Sequence, residues 1–130
     1  MDSDTLPKVK ALIVDDESDI CYLLSSILKQ KNVHASFAGS LSEADKALQG
    51  TTPPIIFLDN HLPDGLGINY VHKLKEKFPA TKVVMITAHD NMSDREKAYT
   101  EGVDYFIGKP FSKETIFKTI DQLNQAIKPE

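Results

Sequence analysis

Apolar runs of strand length alternate along this chain with longer stretches in which apolar residues recur every three to four positions. Lys10 to Val14 predicts a first strand. Ile20, Leu23, Leu24, Ile27 and Leu28 then share one face of a helix expected from Ser18 to Lys31. Ala35 to Ala38 predicts a second, weaker strand. Ser40 and Glu43 stand at capping-box spacing before a short helix with Ala44, Ala47 and Leu48 on one face, closed by Gly50, Pro53 and Pro54. Ile55 to Leu58 is the third strand, and Pro63, Asp64, Gly65 and Gly67 predict a loop with no regular element inside it. Ile68, Val71, Leu74 and Phe78 mark a third helix that Pro79 ends. Val83 to Thr87 is apolar almost throughout, as in a strand covered on both faces, with its hydroxyl residue last. From Asn91 to Glu101 only Met92, Ala98 and Tyr99 are apolar, so a fourth helix there would bury little and be loosely held. Tyr105 to Gly108 is the fifth strand, and Ser112 caps a last helix expected to turn Ile116, Ile120, Leu123 and Ile127 inward.

Five strand-then-helix units with short connections imply an α/β fold with a doubly wound parallel sheet. In such a sheet the carboxyl ends of the strands share one edge, and sites form there. Asp15 and Asp16 follow the first strand, Asp59 the third and Lys109 the fifth, so the four should converge. Three carboxylates and an ammonium in one pocket suit a hard divalent cation and a phosphoryl group.

At 130 residues the chain has room for one core, expected over 8–128 behind a polar extension at 1–7. Its net charge of −4 arises from mixed signs, so no footprint for direct nucleic-acid binding is visible. The single Cys21, beside an apolar helix stripe, reads as a small buried hydrophobe, and no intramolecular disulfide can form. No apolar run is long enough to span a membrane and the acidic start is unlike a signal peptide, which points to a cytoplasmic protein.

Four segments carry a family resemblance: Val14-Asp15-Asp16-Glu17, Leu58-Asp59 with Leu62-Pro63-Asp64-Gly65, Thr87-Ala88, and Lys109-Pro110-Phe111. Any one alone would be weak. Four in order, each at the end of its own strand, resemble the receiver domain of two-component response regulators from Val9 to about Ile127. The resemblance implies five helices and a five-stranded sheet in the flavodoxin-like order 2-1-3-4-5. It makes Asp59 the phosphoacceptor, a carboxylate nucleophile that becomes an acyl phosphate. It implies Mg²⁺, for which Mn²⁺ could substitute, held directly by Asp16, mainly through water by Asp15, and also by Asp59 and the backbone carbonyl of His61. Lys109 would supply fixed positive charge to the phosphoryl oxygens and Thr87 a hydroxyl hydrogen bond.

The same resemblance implies a switch in which Thr87 moves toward the phosphoryl group and Phe106 turns inward, read out on the face of the fourth helix, fifth strand and fifth helix. A phenylalanine there lacks a hydroxyl for the outward state, so the balance should lean inward; simple packing of Phe106 under the fourth helix is the plainer alternative. A cis Lys109-Pro110 bond is also implied. His61 and His89, two residues after Asp59 and Thr87, would overlook the phosphoryl group and modulate its lifetime, or be plain loop histidines. Partners would be a sensor histidine kinase or phosphotransfer protein, a downstream protein target or attached effector domain, and a second copy in a phosphorylation-dependent homodimer. The domain would be regulatory, promoting only its own phosphorylation and dephosphorylation.

Other readings share parts of this pattern. Asp15 and Asp16 alone could serve the helix N-terminus, which explains neither Asp59 nor Lys109. A flavodoxin-like electron carrier would need a hydroxyl- and glycine-rich phosphate loop where Asp15, Asp16 and Glu17 stand. An aspartate-nucleophile phosphatase would want an acid at position 61, and a receiver-like module that is never phosphorylated would not need the intact acidic pair.

Overall fold

In the computed structural model, the described residues are 9–88 and 91–127, with side chains described as far as 124. Five parallel strands, β1 (Val9–Val14), β2 (Val33–Ala38), β3 (Ile55–Leu58), β4 (Lys82–Thr87) and β5 (Tyr105–Gly108), form one sheet in the order β2-β1-β3-β4-β5. Helices α1 (Ser18–Lys29), α2 (Leu41–Ala47), α3 (Gly67–Lys77), α4 (Met92–Glu101) and α5 (Lys113–Ile127) cover its two faces. This is the doubly wound, flavodoxin-like α/β fold that the alternation of periods predicts.

Two apolar layers sandwich the sheet, because alternate residues of each buried strand point to opposite faces. Leu12, Val14, Ile56, Leu58, Val83 and Met85 face α2, α3 and α4. Ala11, Ile13, Ile55, Phe57, Val84 and Ile86 face α1 and α5. The central strand β3 is buried at all four positions, so its end is held rigidly from both sides.

Helix α1 stops at Lys29 rather than Lys31, because the chain turns through Asn32 at φ 62 to return into the sheet. An asparagine tolerates that left-handed backbone better than most residues. The earlier turn lets β2 begin at Val33, which is buried and in register with Val9. The 61–66 segment also departs from expectation: His61–Leu62 and Gly65–Leu66 pair as a small antiparallel hairpin instead of an irregular loop. Periodicity could not announce it, since each strand has two residues and only Leu62 packs, partly buried, against the core.

Helix α4 buries only Ala98 among its ten residues and leaves Met92 and Tyr99 on the surface. It ends at Gly102, whose φ of 114 lets Gly102 and Val103 turn back and donate to the carbonyls of Tyr99 and Ala98. On α5, Ile116, Ile120 and Leu123 are buried as expected, while the side chain of Ile127 lies outside the described residues.

Candidate functional site

The sheet brings Asp15, Asp59 and Lys109 to one edge through hydrogen bonds made where each strand ends. Asp15 donates its N–H to the carbonyl of Ala38 at 3.0 Å, and Asp59 donates to Val14 at 2.9 Å. Lys109 donates to Thr87 at 2.8 Å, and the Lys109-Pro110 bond is cis. Three backbone anchors on neighbouring strands thus fix the roots of side chains up to 94 positions apart in sequence.

Asp15, Asp16 and Asp59 each present a carboxylate oxygen, all within 4.8 Å of one another. Asp15 and Asp59 are buried and Asp16 is exposed. The Lys109 ammonium lies 3.0 Å from Asp15, 3.0 Å from Glu17 and 3.6 Å from Asp59. Burial pushes the Asp59 carboxyl up to about 6, with the charge of Asp15 adding to the rise and Lys109 opposing it. Burial alone would push Lys109 down, but hydrogen bonds to Asp15 and Glu17 and the charge of Asp59 outweigh it, so the ammonium stands above the ordinary lysine value. Carboxylates this close repel, and one ammonium cannot neutralise three of them. The donor set of hard oxygens therefore fits a divalent cation of the magnesium type.

Cys21 is buried, its thiol directed at the Asp15 carbonyl at 3.4 Å and pushed up to about 11 by burial, which keeps it an inert part of the wall. Thr87 is 1% exposed at the end of β4. His61 is exposed at the start of the hairpin, and His89 lies outside the described residues. Phe106 points inward, 6% exposed, among Ile68, Met85, Ala98 and Val103. Its ring lies 5.1 Å from the Arg95 guanidinium of α4, and its N–H donates to the Tyr99 hydroxyl at 3.1 Å. Beside these groups is a cavity of about 210 Å³ whose walls include His61, Thr87, Phe106, Asp94 and Lys97. The site and the inner face of α4 are therefore contiguous.

Motif reading misses two acids as working parts. Asp64 reaches back to α2: its two carboxylate oxygens accept from Leu41 N–H at 2.9 Å and Ser42 N–H at 3.0 Å, while Ser40 accepts from Glu43 N–H at 3.1 Å. A cap supplied from 23 positions away leaves no local spacing to detect. Glu17, the second, contacts Lys109 as given above. A Glu after an acidic pair is a faint signal that its charge belongs to the same site.

Those two hydrogen bonds hold the Asp64 carboxyl below the usual carboxylate range. A depressed folded-state value contributes stability above the unfolded value and loses it as pH falls through the folded one. Asp64→Asn is expected to lower the melting temperature slightly at pH 7, and the difference from the parent should shrink as pH falls below the ordinary aspartate range. Thermal melts of both proteins from pH 7 to 3 measure it. A constant difference across that range would show that the carboxylate charge is not what caps α2.

A model of the response regulator receiver domain family matches residues 11–121. The probable transcriptional regulatory protein TcrX of Mycobacterium tuberculosis is 35% identical over 108 residues, covering 83% of this chain and 46% of TcrX. The phosphate regulon transcriptional regulatory protein PhoB of Escherichia coli is 31% identical over 122 residues, covering 92% of this chain and 53% of PhoB. The chain thus spans about half the length of these curated relatives. Among solved structures, the beryllofluoride-activated NtrC4 receiver domain dimer aligns with a TM-score of 0.86 at 36% identity, covering 92% of this chain and 98% of that one.

Proposed function

Because the chain belongs to the response regulator receiver domain family of two-component systems, we propose that it takes a phosphoryl group on Asp59 from a phosphorylated histidine and passes the signal on through α4, β5 and α5. The observation that carries this reading is the convergence of Asp15, Asp16, Asp59 and Lys109 at one sheet edge. The donor would be a sensor histidine kinase or a phosphotransfer protein. The output would go to a protein target, an attached effector domain or a second copy of the chain.

In the transfer, an Asp59 oxygen forms a bond to phosphorus as the P–N bond of the donor breaks, and the electron pair leaves with the imidazole. Asp16 would hold Mg²⁺ directly, Asp15 through water, with Asp59 and the His61 backbone carbonyl completing the protein ligands. Bound there, the ion neutralises the repulsion between the carboxylate and the incoming phosphoryl oxygens. Lys109 contributes a second, fixed positive charge 3.6 Å from Asp59. Thr87, at the wall of the cavity, donates its hydroxyl to a phosphoryl oxygen. His61, two residues after Asp59, and His89, two residues after Thr87 in sequence, are the histidines whose imidazoles would set how readily water reaches the acyl phosphate.

The test is incubation with acetyl phosphate and Mg²⁺ followed by intact-mass spectrometry. One acid-stable, base-labile phosphoryl group is expected, and chelation of the metal should suppress it. An unmodified chain would leave the module that is never phosphorylated as the better reading.

The output path has a separate test. Phe106 is tied to α4 by its N–H to the Tyr99 hydroxyl and by Arg95 over its ring, so a shift of Thr87 or Phe106 has a route to the surface. Hydrogen exchange with beryllofluoride is expected to change across residues 87–111, while α1 stays protected. Tyr99→Phe should speed exchange of the Phe106 N–H by about three- to tenfold, the loss of one modest hydrogen bond. A response confined to the loops around Asp16 and Asp59 would sink the switch while leaving the acceptor chemistry intact.

A further inference from the structure

Glu17 occupies the N-cap position of α1 with extended backbone (φ −96, ψ 110), yet its side chain makes no capping hydrogen bond. Ser, Thr, Asp and Asn are favoured there because their short side chains reach the free N–H groups of the first turn. A glutamate at a cap that does no capping breaks the local rule, and such breaks concentrate where a residue has other work. Here the side chain is turned away from the helix, and its Oε1 lies 3.0 Å from the Lys109 ammonium, 92 positions on. The root of Glu17 is fixed, since its N–H donates to Asp15 Oδ1 at 2.9 Å and its carbonyl accepts from Cys21 N–H at 3.1 Å.

An ammonium has three N–H donors. Two are directed at Asp15 and Glu17, both at 3.0 Å, while the acceptor Asp59 is farther away at 3.6 Å. Asp15 is buried and has little freedom, whereas the Glu17 side chain is 61% exposed and screened by water. Of the two holds on Lys109, the Glu17 one is the weaker and the easier to release.

We propose that Glu17 is a positioning residue for Lys109, holding the ammonium back from Asp59 in the unmodified protein and yielding it when phosphoryl oxygens arrive. The proposal deepens the phosphoacceptor reading and rests on it. Its consequence is that the grip of Glu17 opposes capture of an anion at Asp59, and an exposed pair of this kind is worth a few-fold in affinity.

Two substitutions separate reach from charge. Glu17→Gln keeps length and removes the charge. Glu17→Asp keeps the charge but is one methylene shorter, and as a favoured cap its carboxylate should fold back onto the α1 N–H groups. Both are expected to raise beryllofluoride affinity in Mg²⁺ about two- to fivefold by titration calorimetry. If Glu17 acted only through its overall charge, Glu17→Asp would match the parent, and that result overturns the proposal. A second readout needs no phosphoryl mimic: the Lys109 ammonium resonance, identified by its loss in Lys109→Gln, should exchange with water faster in both Glu17 variants. Unchanged exchange in both variants would also overturn the proposal. Faster exchange in proteins that bind no beryllofluoride would instead leave the hold of Glu17 standing and remove the phosphoacceptor reading.

Discussion

Asp59→Asn is expected to abolish phosphoryl uptake completely, so that the intact mass is unchanged after acetyl phosphate and Mg²⁺ under conditions that modify the parent. An amide has no anionic oxygen to attack phosphorus, and none of its neighbours can take over. Asp15 is engaged with Lys109 at 3.0 Å and with the N–H of Glu17 at 2.9 Å, while Asp16 is the exposed acid proposed to hold the metal directly. The substitution should not unfold the chain. Burial already holds the Asp59 carboxyl at about 6, so an uncharged group of the same shape relieves repulsion with Asp15 and Asp16. Phosphorylation of Asp59→Asn to the parental level would overturn the assignment of the acceptor. Lys109→Ala makes the complementary case: it should still acquire some phosphoryl group but lose the hydrogen-exchange response of residues 87–111, because the charge that couples the anion to β5 is gone.

Gly67→Ala should have the largest effect on stability of any single methyl addition near the site. An added Cβ at this position would sit 2.3 Å from the Asp59 carbonyl oxygen, 3.1 Å from Leu58 Cγ and 3.2 Å from Asn60 Cα. Two of those three atoms are backbone, and the first belongs to the proposed acceptor itself. Neither can swing aside, because the Gly67 N–H donates to the Asn60 carbonyl at 2.7 Å and the Ile68 N–H to the Asn60 side chain at 2.9 Å. Alanine ordinarily favours a helix by about 1 kcal/mol over glycine. Overpacking against fixed backbone costs about 3 kcal/mol and wins, lowering the melting temperature by roughly 10 °C. Since the strain falls on the Asp59 peptide, phosphoryl uptake should slow as well. Thermal melts and initial rates with acetyl phosphate check both effects. An alanine variant as stable and as fast as the parent would mean that the loop has slack these contacts do not show.

Apolar runs of strand length alternating with apolar residues spaced three to four apart were enough to specify five strands, five helices and their parallel alternation. Burial on both faces forces the apolar runs at Ile55–Leu58 and Val83–Thr87, and amphipathic spacing forces α1, α3 and α5. The acids and the lysine of the site were legible for a related reason: charge at the end of an apolar run cannot enter the core, and a parallel sheet puts all such ends on one edge. Phe106 is buried, which both an inward-leaning switch and simple packing under α4 would give.

Other features had no local signature. The 61–66 hairpin depends on pairing between two-residue strands, and the early end of α1 depends on where β2 must dock to place Val33 against Val9. Tyr70 falls outside the apolar spacing of Ile68, Val71 and Leu74, yet it is buried, with its hydroxyl donating to Asp45 on α2 and its pKa pushed well above the ordinary tyrosine value by burial. The cap that Asp64 gives to α2, the tie from Tyr99 to Phe106 and the hold of Glu17 on Lys109 join elements 22, 7 and 92 positions apart. Sequence by itself determined which apolar runs become buried strands and which kinds of charge must meet, because hydrophobic burial acts on pattern alone. Tertiary structure decided the partners of each charge, since hydrogen bonds and ion pairs depend on distances of a few ångströms that only the folded chain defines.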